Sequence, residues 1–176
     1  MNLYAYAGNN PISFSDPFGL DSITVQIHEV VILGVKTGKN HASIRIAPAN
    51  QSKWENHPAF RGPRDEQGRV FTTLGAGPGG FAGTKLVSNK RRDADAAPHS
   101  RGAVVDPGSP NEDALIGALL GADLQYSDNA SYGAFPIGEG KYNSNSYVAA
   151  ILAAVGIHLP APAPNMPGWN RPVPLE

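Results

Sequence analysis

A chain of 176 residues with 41% hydrophobic residues is long enough for one ordinary domain and a tail, and its formal net charge of -1 with only 16% charged residues speaks against a strongly basic nucleic-acid surface. Cysteine is absent, which excludes disulfides, thiolate metal sites and a cysteine nucleophile. No apolar run reaches membrane-spanning length and no basic-then-apolar leader opens the chain, so an exported protein of this sequence would need a carrier outside it.

The first twenty residues, MNLYAYAGNNPISFSDPFGL, are a short aromatic segment punctuated by turns at Gly8-Asn9-Asn10-Pro11 and Asp16-Pro17. Alone they bury little. Tyr4, Tyr6, Asn9-Asn10-Pro11 and the run Asp16-Pro17-Phe18-Gly19-Leu20 resemble the end of the core of bacterial Rhs polymorphic toxins. The resemblance implies a protective shell, cleavage after Leu20, and a released toxin domain beginning at Asp21. It also implies delivery into a target cell by a type VI or related system, and a cognate immunity protein as partner. It leaves the toxin's chemistry open.

Residues 22–35 are rich in Ile and Val and predict one long strand or a hairpin. Thr37-Gly38-Lys39-Asn40 reads as a turn, and His41 to Ile46 alternates polar and apolar residues as a second strand. Residues 48–69 read as loop. Val70 to Leu74 predicts a third strand, Gly75 to Gly80 a flexible turn, and Thr84 to Ser88 a fourth strand. The glycine run lacks the Gly-Lys-Ser/Thr ending of a phosphate loop. Residues 89–108 read as an exposed loop in which Lys90, Arg91 and Arg92 are offset by Asp93 and Asp95.

Ser109-Pro110-Asn111-Glu112 has the form of a capping box and opens a helix whose apolar face is Ala114, Leu115, Ala118, Leu119 and Ala122. Asn143 can cap a second helix, Ser144 to Val155, with Gly156 as terminator and Val148, Ile151, Leu152 and Val155 as the buried stripe. The last stretch, 159–176, holds six prolines and reads as an extended tail lying on the domain, with Trp169 folding back onto it. The expected organisation is therefore 1–20 core end, 21–158 toxin domain and 159–176 tail. The expected fold is α+β, a small mainly antiparallel sheet packed against two helices.

Two features can carry chemistry: His41 at the start of a strand, and Asn143-Ser144-Asn145-Ser146 at the start of a helix. A hydroxyl at a helix N-terminus sits where backbone N–H groups lack partners and the helix dipole is positive, which favours an attacking oxygen and a tetrahedral oxyanion. Such a serine still needs a base, and a strand-borne histidine can serve. This order of a strand His, then Asn and the nucleophile opening a later helix, then an apolar pair, resembles the permuted papain-like superfamily of NlpC-type and lecithin:retinol acyltransferase-like enzymes. His41 matches the family's base, Asn143-Ser144 its Asn-Cys, and Tyr147-Val148 the apolar pair. Ser144 stands where the family has cysteine. It is either a natural serine version or a serine put in place of a native cysteine.

The resemblance implies acyl transfer, most simply hydrolysis of an amide or ester, with Ser144 as nucleophile, His41 as base then acid, and Ser146 as the alternative hydroxyl. The bland reading is that Asn143 is only a cap, Ser144 and Ser146 first-turn residues, and His41 a half-exposed strand residue. No third residue to orient His41 is identifiable; Thr72 on the third strand would be reachable in a papain-like layout. His28 within its apolar strand reads as structural, and His57, His99 and His158 as loop or tail residues. No pair has metal-ligand spacing, and neither metal nor cofactor is expected. The rivals are a nuclease or nucleotide-modifying toxin, in which Lys90, Arg91 and Arg92 would matter most, and a non-enzymatic toxin that binds a target or perturbs a membrane.

Overall fold

Apolar and polar residues alternate along Ile23 to His28 and again along His41 to Ile46, and that alternation builds the centre of the molecule. The computed structural model describes residues 22–32, 34–62, 64–88, 100–106, 110–136 and 138–175. The Rhs-like segment 1–20, Lys90 to Arg92, His99 and Ser109 lie outside the described residues.

Strand β1 (Ile23–Ile32) pairs antiparallel with β2 (Val35–Ile46), which pairs with β3 (Thr72–Leu74), while β6 (Ser100–Asp106) closes the other side of β1. The first sheet has the order β3-β2-β1-β6. A second sheet, ordered β4-β5-β7-β8, joins β4 (Ala76–Gly79), β5 (Lys85–Ser88), β7 (Ser131–Tyr132) and β8 (Lys141–Tyr142). Its β7–β8 pair is parallel; the others are antiparallel. Among the described residues three α-helices complete the α+β fold: the single turn α1 (Gln51–Trp54), α2 (Glu112–Leu124) and α3 (Ser144–Ala154).

Registered partners across β1 and β2 share a face. Ile23, Val25 and Ile27 stand opposite Ile46, Ile44 and Ala42, all buried, and form the apolar core with Leu74, Leu86, Ile116, Leu119, Val148 and Ile151. The other face carries Thr24, Gln26 and His28 opposite Arg45, Ser43 and His41. Thr24, His28 and Ser43 are nevertheless buried, so this sheet has a polar interior layer on its second side.

Several local expectations need correction. The turn lies around Gly34, ahead of Thr37-Gly38-Lys39-Asn40, which belongs to β2. That segment bulges instead: the register shifts between Glu29 and Val31, Gly38 has φ 66°, and Thr37 Oγ1 donates to Val30 O at 2.7 Å. Turn chemistry served a bulge. His41 consequently sits in the interior of a twelve-residue strand, not at its start. Gly75 to Gly80 is mostly strand β4, where a Cβ on Gly79 would stand 2.6 Å from Val87 Cγ2. Residues 48–69 contain α1 and a 3-10 turn, Pro58–Phe60, which place Trp54 and Phe60 in the core. The stretch 100–106, read as loop, is the edge strand β6.

Helix α2 is capped at Asn111, whose side chain makes no capping bond, and Glu112 accepts from Ala49 N at 2.8 Å rather than closing a capping box. Its buried face is Ile116, Leu119, Leu120, Ala122 and Asp123; Ala114 and Ala118 are exposed. The more hydrophobic Ile116 and Leu120 displaced the alanine stripe because they bury more area per residue. Helix α3 agrees with its expected limits to within a residue, and Gly156 follows it at φ 78°. Val148, Ile151 and Leu152 are buried as expected, while Val155 is half-buried.

Candidate active site

The start of α3 is polar in sequence and buried in space. Asn143, Ser144, Asn145 and Ser146 are exposed by 4%, 8%, 1% and 0%. Buried polar groups are costly unless bonded, so the destination of each bond is informative.

Asn143 is the N-cap. Its Oδ1 accepts from the N–H groups of Asn145 (3.0 Å) and Ser146 (3.2 Å), and its Nδ2 donates to the carbonyls of Ala134 (3.2 Å) and Pro167 (2.9 Å). Tyr147 N donates to Asn143 O at 3.0 Å. The first turn is therefore less open than the sequence implies. Among its N–H groups, those of Asn145 and Ser146 are taken by the cap, and that of Ser144 is the one left for an oxyanion among the described residues.

The two candidate hydroxyls differ. Ser146 Oγ donates to Gly168 O at 3.1 Å and lies 3.4 Å from Asn143 Oδ1. It is fully buried and bound into the tail. Ser144 Oγ has no hydrogen-bond partner among the described residues.

Asn145, passed over in sequence, ties the start of α3 to β2. Its Oδ1 accepts from Ala42 N at 2.8 Å and its Nδ2 donates to Asn40 O at 2.9 Å, so one side chain grips the backbone of β2 on both sides of His41. The same Nδ2 donates to Pro167 O at 2.9 Å. This edge of β2 is free because β3 pairs only with Ile44 to Ile46. The tail closes the rest of it: Asn40 N donates to Asn165 O at 3.0 Å, and Asn40 Nδ2 to Pro164 O at 3.0 Å. The Pro-rich tail is thus part of the site's frame. Met166, Trp169 and Val173 are buried in the core, Trp169 Nε1 donates to Leu159 O at 3.0 Å, and Val173 N donates to Ser146 O at 3.1 Å.

His41 is half-buried on the polar face of the sheet. Its ring stacks on that of His28, centroids 5.0 Å apart and planes at 28°, and His28 Nε2 lies 3.3 Å from Ser43 Oγ. Stacking on a buried, hydrogen-bonded neighbour fixes the plane of the His41 ring. His28, read in sequence as a structural residue, is buried; its pairing with His41, like the place of Ser43, is invisible until the register is known. Thr72 is not an orienting residue. It pairs with Ile46 and faces away from His41, whereas Thr73 pairs with Arg45 on the side of His41.

Beneath the site, Tyr147 is fully buried and donates to Asp123. Burial, reinforced by the Asp123 charge, pushes its phenol well above the ordinary range. Tyr126 packs edge-on against it at 5.4 Å, donates to Leu86 O at 2.7 Å, and is pushed up to about 12 by burial and by Asp128. At the far end of β2, Asp65 accepts from Arg45 Nη2 (2.8 Å) and Arg69 Nε (2.9 Å). Burial alone would raise its carboxyl, but the Arg69 backbone N–H and the two guanidinium groups outweigh it and hold it below the usual range.

Two clefts flank the helices, about 520 Å³ between α2 and the end of α3, and about 240 Å³ between α3 and the tail at Trp169. His41, Asn143, Ser144 and Ser146 line neither of them. Among the described residues, no helix is long and apolar enough to cross a membrane. Comparison with known families, with curated proteins and with solved structures returns no match. The site is therefore read from its own geometry.

Proposed function

We propose that this chain carries the toxin domain of an Rhs effector and that the domain is an acyl-transfer hydrolase acting on an amide or ester. What supports the chemistry is one observation: Asn145 grips β2 on both sides of His41 while the adjacent Ser144 presents an unengaged hydroxyl at the first position of α3. The Rhs reading rests on the motif in residues 1–20. It carries with it the shell formed by the core, delivery into a target cell and a cognate immunity protein.

In the proposed reaction, Ser144 Oγ attacks the carbonyl carbon and its proton passes to the His41 imidazole. The oxyanion forms against the Ser144 N–H and the positive end of α3. Collapse of the intermediate expels the amine or alcohol with the proton from His41. Water, deprotonated by His41, then releases the acid and restores Ser144. His28, stacked on His41 with ring centroids 5.0 Å apart, holds the plane of the His41 ring.

The test is growth of a susceptible bacterium expressing residues 21–176 as wild type, Ser144→Ala, Ser146→Ala and His41→Ala. The expected result is that Ser144→Ala and His41→Ala abolish toxicity while Ser146→Ala, if folded, retains it. Full toxicity of Ser144→Ala overturns the reading.

A further inference from the structure

A nucleophile and its base must be held to within about half an ångström of the productive geometry. Here they come from elements far apart in the chain, α3 and β2, and among the described residues the side chain of Asn145 is a polar tie between them. Asn145 makes two bonds that bracket His41, one accepted from Ala42 N and one donated to Asn40 O. Two bonds to alternate backbone groups of one strand fix both the translation and the tilt of the helix start along that strand, as a rung of sheet would. The third bond, to Pro167 O, ties in the tail. The amide orientation is dictated, because an N–H meets Oδ1 and two carbonyls meet Nδ2.

We propose that Asn145 is the positioning residue of the reaction: it sets the register of Ser144 against His41 without touching substrate. The inference rests on the reading of Ser144 as nucleophile. It differs from a merely structural role in what it controls, which is the rate of the chemical step in the folded protein rather than the population of the folded protein.

The discriminating variant is Asn145→Asp. It is isosteric, keeps the acceptor for Ala42 N, and replaces both donors to Asn40 O and Pro167 O by an oxygen that repels them. The probe is an alkyl fluorophosphonate. Ser144 Oγ bonds to its phosphorus, fluoride leaves, and the serine proton passes to His41. Rates are measured on the full chain at a temperature where each variant is wholly folded, over a range of probe concentrations.

The expected result is a fall in the limiting inactivation rate of at least about tenfold, with the half-saturating concentration nearly unchanged, as misplacement of reacting groups produces. Tyr126→Phe, which removes the bond to Leu86 O remote from Asn145, should lower the melting temperature and leave the inactivation rate at the wild-type value. If Asn145→Asp does not fold, Asn145→Gln, which moves the same amide one methylene outward, is held to the same criterion. Wild-type reactivity in a folded Asn145 variant with a lowered melting temperature overturns the positioning role and leaves the nucleophile assignment standing. No reaction of wild-type Ser144 overturns both.

Discussion

The two long helices enter through the same residue type and in opposite ways. Asn111 opens α2 with an idle side chain, acidic residues Glu112 and Asp113 in the first turn, and solvent beside it. Asn143 opens α3 with every polar atom of its amide engaged and four consecutive buried polar residues, Asn143 to Ser146. A helix start needs only a cap or some favourable charge, and α2 relies on the second: Glu112 and Asp113 stand in its first turn and accept from Ala49 N and Trp54 Nε1. The bonds at α3 run instead to β2, to Ala134 and to the tail, far more than capping requires. That excess identifies a segment held for its position.

The largest expected effect that separates the two starts is Asn145→Ala. It removes three hydrogen bonds, one buried and two part-buried, and should destabilise the fold by on the order of 3 kcal/mol, whereas Asn111→Ala should stay within about 0.5 kcal/mol; urea unfolding of both variants makes the check. Equal costs would erase the distinction. Glycines sharpen it next. Gly168 has φ 86° and a Cβ there would stand 2.5 Å from Asn143 Oδ1, so Gly168→Ala should cost roughly 2 kcal/mol or more. Gly117, in α2, meets nothing within 4 Å, and Gly117→Ala should stabilise by about 0.5–1 kcal/mol. Thermal melts with opposite signs are the expected outcome.

The smallest effect concerns the far end of β2. The folded-state pKa of Asp65 is depressed, so the ion pair with Arg45 and Arg69 adds stability above the unfolded carboxylate range and loses it as pH falls through the folded value. Asp65→Asn should therefore be less stable than wild type near neutral pH and approach it as the pH falls through the lowered folded value, read from urea midpoints at each pH. The inactivation rate of Ser144 should be untouched by this change, because Asn145 holds β2 separately, through Asn40 and Ala42 in mid-strand.

Much of the frame was legible in sequence. Ile and Val alternation located β1 and β2, and Asn143 with Gly156 located both ends of α3. Strong local signals sufficed because each element was decided within a few residues. The errors share a cause. Gly38 and the glycines of 75–80 carry turn chemistry but serve a bulge and a strand, since neighbours distant in sequence impose the conformation. The apolar face of α2 held at Leu119 and Ala122 and failed at Ala114 and Ala118, because alanines fit either side of a helix and packing chose Ile116 and Leu120.

At the site, the positions of Asn143 and Ser144 follow from capping and helix polarity. Asn145 was illegible because an asparagine at the second position of a helix is ordinary when exposed, and nothing local says that it is buried against β2. The tail's role was equally hidden: Pro167 contributes only its carbonyl oxygen, which every residue possesses, and nothing local ties the carbonyl and missing Cβ of Gly168 to Asn143 and Ser146.

The most direct test of the central claim is to map where a fluorophosphonate attaches, by peptide mass spectrometry of the modified full chain with and without His41→Ala. The account predicts a single adduct on Ser144 that is lost with His41. An adduct on Ser146 or Ser43 instead, or one on Ser144 that forms equally fast without His41, would contradict it.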